Sequence, residues 1–194
     1  IIGTNIDTLL KEKGSEKLLQ HLLKMYAVYP DSGIVNQLIA IIYNKTGKYQ
    51  DAVIHAERVI NSFPEASAGY RLKADALKAL KKSKEAVIFY NKAAERASTQ
   101  EAEKIYKDLG LAYVDLQDYK NAYKSFKKSI NLYSMTATHV DLYYLGSSAF
   151  LTGRTDEAET VLQYAYKKVP SDDTEWRESI KKHLELLGSI PKEL

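Results

Sequence analysis

Four histidines, His21, His55, His139 and His183, are the side chains of this 194-residue chain best suited to proton transfer or metal binding. Both chemistries need an imidazole beside a second ligand or partner, and helical metal motifs show this as spacings of a few residues. The shortest interval among the four is 34 residues, so no local motif joins them. His21 and His55 are expected as partly buried, satisfied imidazoles in helices. There is no Cys, which removes thiolate nucleophiles, disulfides, zinc–thiolate sites and iron–sulfur clusters. No glycine-rich phosphate loop and no Gly-x-Ser-x-Gly elbow occurs. The run Asp156-Glu157-Ala158-Glu159 has the look of a cation site. It opens a helix, however, where carboxylates complement the dipole. No catalytic residue, metal site or cofactor is therefore expected, and the working part of the molecule should be a surface.

The elements that would carry this surface follow from an internal repeat. Ala52, Ala86, Ala122 and Ala158 are spaced by 34, 36 and 36 residues, each inside a similar phrase such as Gln117-Asp-Tyr-Lys-Asn-Ala122. Pro30 and Pro64 keep the 34-residue step, and Pro170 lies 106 residues on, one 34-residue and two 36-residue steps. Twelve residues before each alanine stands a small residue: Ala40, Ala74, Gly110 and Gly146. Tyr106, Leu109, Gly110 and Tyr113 fall at i, i+3, i+4 and i+7, and Ala122, Phe126 and Ile130 at i, i+4 and i+8. Both are one buried face of a helix, so each unit reads as helix, tight turn, helix. The alanines are expected to serve close packing, with Gly110 and Ala122 letting paired helices approach and Tyr106 and Tyr113 filling the space beside them. A pair of this kind cannot bury both faces alone and must stack on neighbours. Only 4 Pro and 9 Gly in the chain agree with a helical fold.

The phrase Tyr106-Lys-Asp-Leu-Gly110-Leu-Ala-Tyr113, followed by Asp118-Tyr119, Ala122 and Phe126, resembles the tetratricopeptide repeat. It recurs as Leu142-Tyr-Tyr-Leu145-Gly146, then Gly153, Asp156-Glu-Ala158, Ala165 and Pro170. The resemblance implies an all-α, right-handed α–α superhelix, a solenoid of stacked helix-turn-helix repeats closed by a C-terminal capping helix. Expected divisions are an N-terminal half-repeat over 1–32, repeats over 33–66, 67–102, 103–138 and 139–172, a capping helix over 173–188 and a tail over 189–194. The repeat at 67–102 is the degenerate one. Lys73 replaces an apolar residue, and Lys81 and Ser83 replace the turn Gly and an aromatic, so this unit is expected to be the least tightly packed. Two extra residues near Ser98-Thr99-Gln100 and near Met135-Thr136-Ala137 predict longer loops.

The ends predict more helix. Asn5–Lys13 and Ser15–Tyr29 read as two short helices about Gly14, the second turning Leu18, Leu19, Leu22 and Met25 inward. Trp176, Ile180, Leu184 and Leu187 form the docking stripe of a cap helix, with Asp172 and Glu175 at capping-box spacing and Gly188 as its stop. The opening residues Ile1-Ile2, in place of Met, are expected of a processed or shortened chain, with a signal peptide or further repeats ahead.

The family resemblance implies a concave groove, lined by the first helix of each pair, that holds an extended or helical peptide. On this sequence that face comprises Ile34, Gln37, Ile41, Asn44 and Lys45, then Arg71, Asp75 and Lys78. It continues with Lys104, Lys107, Leu111 and Val114, then Tyr143, Ser147 and Phe150. The expected peptide-binding residues are Gln37, Ile41, Asn44, Arg71, Lys78, Lys104, Lys107, Leu111, Tyr143 and Phe150. The family's carboxylate clamp is disfavoured: only Lys104 and Lys107 fit part of it, and Ile41, Leu111 and Tyr144 stand where polar residues are required. Net charge is only +3, but residues 67–138 carry +6 of it and the remainder −3. A basic centre beside apolar side chains suits an acidic peptide with one or two apolar anchors. Lys81, Lys82, Lys84, Lys127 and Lys128 are expected to face water, leaving Arg71, Lys104 and Lys107 as the cations that matter. The reading is a protein-interaction scaffold with a protein or peptide partner. Alternatives are self-assembly into a homo-oligomer, and RNA binding, which lacks the aromatic-plus-basic pattern of a single-strand binder. The longest apolar run, Leu38 to Tyr43, is too short to insert in a membrane. A soluble protein is expected, cytoplasmic or, with a signal peptide removed, extracytoplasmic.

Overall fold

The computed structural model describes residues 14–132 and 137–189, and among them every regular element is an α-helix. Helices α1 (Ser15–Val28), α2 (Gly33–Lys45), α3 (Tyr49–Ser62), α4 (Ser67–Ala79) and α5 (Ser83–Arg96) belong to one compact unit, residues 1–97. A second unit, residues 98–194, holds α6 (Thr99–Asp115), α7 (Tyr119–Leu132), α8 (His139–Leu151), α9 (Thr155–Lys168) and α10 (Thr174–Leu186). Asn5–Lys13, expected as a helix, lies outside the described residues.

The turn inside each pair is set by backbone hydrogen bonding. Lys48 N–H donates to Tyr43 O at 2.9 Å, Lys82 to Leu77 at 2.9 Å, Asp118 to Tyr113 at 2.9 Å and Arg154 to Ala149 at 3.0 Å. Each is the six-to-one bond of a Schellman ending, which needs a left-handed residue just before it. That residue is Gly47 (φ 78°), Lys81 (62°), Gln117 (58°) or Gly153 (77°). Lys81 and Gln117 thus adopt the glycine geometry without being glycine, at a cost of about 1–2 kcal/mol each. The cap helix ends likewise, with Gly188 at φ 72° and Ser189 N–H donating to Leu184 O at 2.9 Å.

The four repeat alanines are fully buried. Gly110 and Gly146 make room for single large side chains rather than for close backbones. A Cβ on Gly110 would lie 2.7–2.9 Å from three carbons of the Phe126 ring, and one on Gly146 would lie 2.7 Å from Leu162 Cγ. Phe126 (1% exposed) and Leu162 (0%) come from the second helix of the same pair. Tyr106 and Tyr113 stay half-buried beside them.

Several expectations are corrected. The unit at 67–102 is as well packed as the others: Ala74, Ala76, Ala86 and Ala93 are fully buried, and Tyr90 is 1% exposed. Lys73 achieves this with its ammonium, which contacts Glu57 at 2.6 Å and lies 4.1 Å from the centre of the Phe89 ring. The extra residues near Ser98 make no long loop. Ser98 and Glu101 form a capping box and start α6 early, giving it 17 residues. Met25 and His21 on α1 are exposed, and Tyr26 packs inward in place of Met25. The cap helix starts on Asp173, whose side chain accepts from Trp176 N–H, and not on Asp172.

Candidate peptide-binding faces

In residues 1–97 the expected binding residues lie on α2 and α4. Gln37, Ile41 and Asn44 follow one stripe of α2, and Arg71, Asp75 and Lys78 one stripe of α4, all half-exposed. Helical spacing of i, i+4 and i+7 places each triplet on one face. Asn44 joins the two helices, since its Nδ2 donates to Leu72 O at 3.0 Å. Part of its amide is therefore occupied in holding α2 to α4, not free for a ligand as expected. Ile41 packs beside Ala40, Ala56 and Leu72 with one side open. Arg71 is not a free cation: Asp75 lies 3.6 Å away one turn along, and Asp75 also accepts from the Tyr90 hydroxyl at 2.6 Å. Ile34, at the start of α2, is 60% exposed.

In residues 98–189 the expected residues lie on α6 and α8. Lys104 is exposed, and Lys107, Leu111 and Val114 continue its stripe as half-exposed side chains. Lys107, expected among the cations that matter for binding, reaches across to α8 and shares its charge with Asp141 at 2.5 Å. Asp141 also accepts from the Thr138 backbone N–H at 2.9 Å and hydroxyl at 2.7 Å, completing a capping box for α8. Burial opposes ionisation of this carboxyl, but Lys107 and both Thr138 donors outweigh it and hold Asp141 below the usual carboxylate range. Of the cations singled out, Lys104 is thus the one exposed for encounter with a charged partner.

Tyr143, Ser147 and Phe150 form the matching stripe of α8, and α10 borders it. The Tyr143 ring meets Trp176 and His183 edge-on, both with centroids at 5.1 Å, and Phe150 meets His183 at 6.4 Å. Burial pushes the Tyr143 phenol above its ordinary value. Trp176 also lies against Tyr144, at 6.3 Å, and His139, at 5.9 Å. Sequence reasoning docked α10 on the last repeat through Trp176 but missed His183 as a neighbour of this face. The missing signal was available: Trp176, Ile180 and His183 follow i, i+4, i+7, the spacing of a first helix in a further pair. Asp141, the partner of Lys107, lies 34 residues away, two short of the 36-residue step between these two repeats.

The lysines expected to face water are exposed, and three are engaged. Lys82 lies 3.7 Å from Glu85, one turn along the same helix. Lys127 donates to Tyr123 Oη at 2.7 Å and to Glu157 at 2.9 Å, and Lys128 lies over the Tyr106 ring at 4.9 Å. Glu157, from the acidic run, accepts from the Tyr123 hydroxyl as well, and these bonds pull its carboxyl below the ordinary value. Among the described residues no cluster of three or more His, Cys, Asp or Glu is placed to hold a metal ion, and no helix is long and apolar enough to cross a membrane.

Tetratricopeptide repeat models match residues 38–102, 101–134 and 142–172. The chain belongs to the tetratricopeptide repeat family. No curated protein matches it in sequence. Solved structures share the fold at low identity. A crystal structure of MamA aligns at TM-score 0.75 and 16% identity, covering 94% of this chain and 99% of that one. A Pseudomonas aeruginosa PilF structure gives 0.74 and 14%, covering 94% and 88%. The tetratricopeptide repeat protein TTC0263 of Thermus thermophilus gives 0.64 and 18%, covering 93% and 95%.

Proposed function

We propose that this tetratricopeptide repeat protein is a non-enzymatic interaction scaffold, and that each unit binds a segment of a partner protein on the open stripes of its first helices. The observation that carries the reading is the composition of those stripes. Ile41, Leu111, Val114, Tyr143 and Phe150 remain half-exposed beside Gln37, Lys78 and Lys104. Apolar side chains left partly in water gain by burial against an anchor, at about 25 cal/mol per Å². Lys104 and Lys78, with Arg71 and Lys107 already shared with carboxylates, would favour acidic residues flanking that anchor. A selection from a displayed peptide library tests this. Enriched sequences should combine Asp or Glu with one or two large apolar residues, and should lose binding to a Lys78→Glu, Lys104→Glu variant of unchanged helicity. Sequences that bind the variant equally well would contradict the reading.

Self-association is a second reading with its own observation. Val28 (67% exposed), Tyr29 (63%) and Ile34 (60%) stand open where α1 meets α2. Mass by light scattering that rises with concentration, and no longer does so in Tyr29→Ser, Ile34→Ser, would favour it.

A further inference from the structure

His55 is the buried imidazole of the 1–97 unit, 8% exposed, on α3. Its hydrogen bond fixes which ring nitrogen carries a proton. Asn36, itself fully buried on α2, donates through Nδ2 to Pro30 O at 2.8 Å and Ser32 O at 2.9 Å. These two bonds orient the amide, so Asn36 Oδ1 is an acceptor. His55 Nδ1 lies 2.7 Å from that oxygen and must carry the proton. The neutral ring is then complete with Nε2 unprotonated, and a second proton would place a full charge in the packed interior.

The ring is held by aromatics from two other helices. Tyr26 of α1 meets it edge-on at 5.1 Å, and Tyr43 of α2 lies at 5.6 Å. Arg58, one turn along α3, lies over the Tyr26 ring at 5.2 Å. The charged and titratable groups around the imidazole are Arg58 and Asp51 on its own helix, Tyr43 on α2 and Tyr26 on α1. Burial and Arg58 both disfavour the imidazolium and outweigh Asp51, so His55 is held below the ordinary histidine value.

Of the elements gripping this ring, α1 is the most weakly attached. Leu22 is its one buried residue among those described, whereas α2 buries six and α3 four. Opening α1 is therefore the least costly way to give His55 access to water. We propose that His55 is an acid-sensitive latch for α1: the neutral ring holds Tyr26 and the helix down, and its protonation releases them. A base held below its unfolded value near 6.5 binds its proton more readily in the open state. Closure is thus fully favoured above pH 6.5, weakens as the pH falls below it, and weakens no further once His55 is protonated in the closed state too. Over that window the closing equilibrium loses up to tenfold per pH unit.

Hydrogen exchange of the whole chain at pH 7.5 and 5.0, with the intrinsic chemical rate divided out, reads the latch directly. Protection of residues 15–28 should fall severalfold or more, while α8 and α9 keep theirs. His55→Gln, which retains a donor for Asn36 but cannot charge, should abolish the fall, and His21→Gln on exposed α1 should leave it intact. Unchanged protection in the wild type, or a fall that survives in His55→Gln, would overturn the proposal. Should His55→Gln not fold, an NMR titration of the wild-type imidazole decides: a midpoint at or above 6.5 sinks the latch, and one below it coinciding with α1 opening supports it.

Discussion

Replacing Gly110 by Ala sets two effects of known sign against each other. In the middle of a helix Ala is favoured over Gly by about 1 kcal/mol. The new Cβ, however, would stand 2.7–2.9 Å from three carbons of Phe126, where ordinary contact begins at 3.4 Å. The ring or the helix must retreat by about 0.7 Å, and little allows it. Phe126 is 1% exposed and stacks on Tyr144 at 5.6 Å. Overpacking of this kind costs about 1–3 kcal/mol, so Gly110→Ala should destabilise by about 1 kcal/mol net. Phe126→Leu removes the ring that would be struck and itself costs about 1 kcal/mol. On that background Gly110→Ala should become stabilising by about 1 kcal/mol, a coupling near 2 kcal/mol. Urea unfolding followed by circular dichroism measures all four corners of the cycle. If Gly110→Ala stabilises equally in both backgrounds, the helices have slack and the packing argument is wrong.

Lys81→Gly relieves a left-handed lysine and should raise stability by about 0.5–1 kcal/mol after the greater freedom of the unfolded Gly is counted. Thermal unfolding would show it as an increase in Tm. Lys107→Met leaves Asp141 half-buried without its cation and should cost about 1 kcal/mol at neutral pH. Because Asp141 titrates below its unfolded value near 3.8, the stabilisation it provides is complete above that pH and is lost as the pH falls through the folded value. The difference between wild type and Lys107→Met should therefore close below pH 4, which acid titration of unfolding checks. Trp176→Ala should loosen α10 from α8 and raise exchange in residues 174–186 while the amides of α6 stay protected.

Much of the architecture was legible because the period and the buried face are both written in apolar and small residues. The alanine and proline steps located the pairs, and the helical spacing of Tyr106 to Tyr113 gave the inward side. What escaped were places where a polar side chain does the work of an apolar one. Lys73 counted against its repeat, yet its stem packs and its ammonium finds Glu57 and the Phe89 ring. Lys81 and Gln117 carry no glycine signal, although the pair around them fixes a left-handed turn. On the candidate faces, residue types identified the stripes but not their occupancy. Arg71 and Lys107 read as the cations that matter for a partner, and Asp75 and Asp141 share their charge. Asn44 read as a ligand donor, and the carbonyl of Leu72 takes its Nδ2. The Lys107 and Asn44 pairings depend on side-chain reach across neighbouring helices, which spacing along one helix does not encode. Arg71 and Asp75, by contrast, stand at i, i+4 on one helix, where spacing does encode the pair.

The deciding question is which side of the helix pairs meets a partner. Amide NMR of the chain, titrated with a peptide enriched from the library, measures this residue by residue. Shifts should concentrate at Gln37, Ile41, Lys78, Lys104, Leu111, Ser147 and Phe150, and should leave Ile54, Ile88 and Lys124 on the second helices unmoved. Perturbation centred on the second helices, with the first-helix stripes silent, would contradict the central claim.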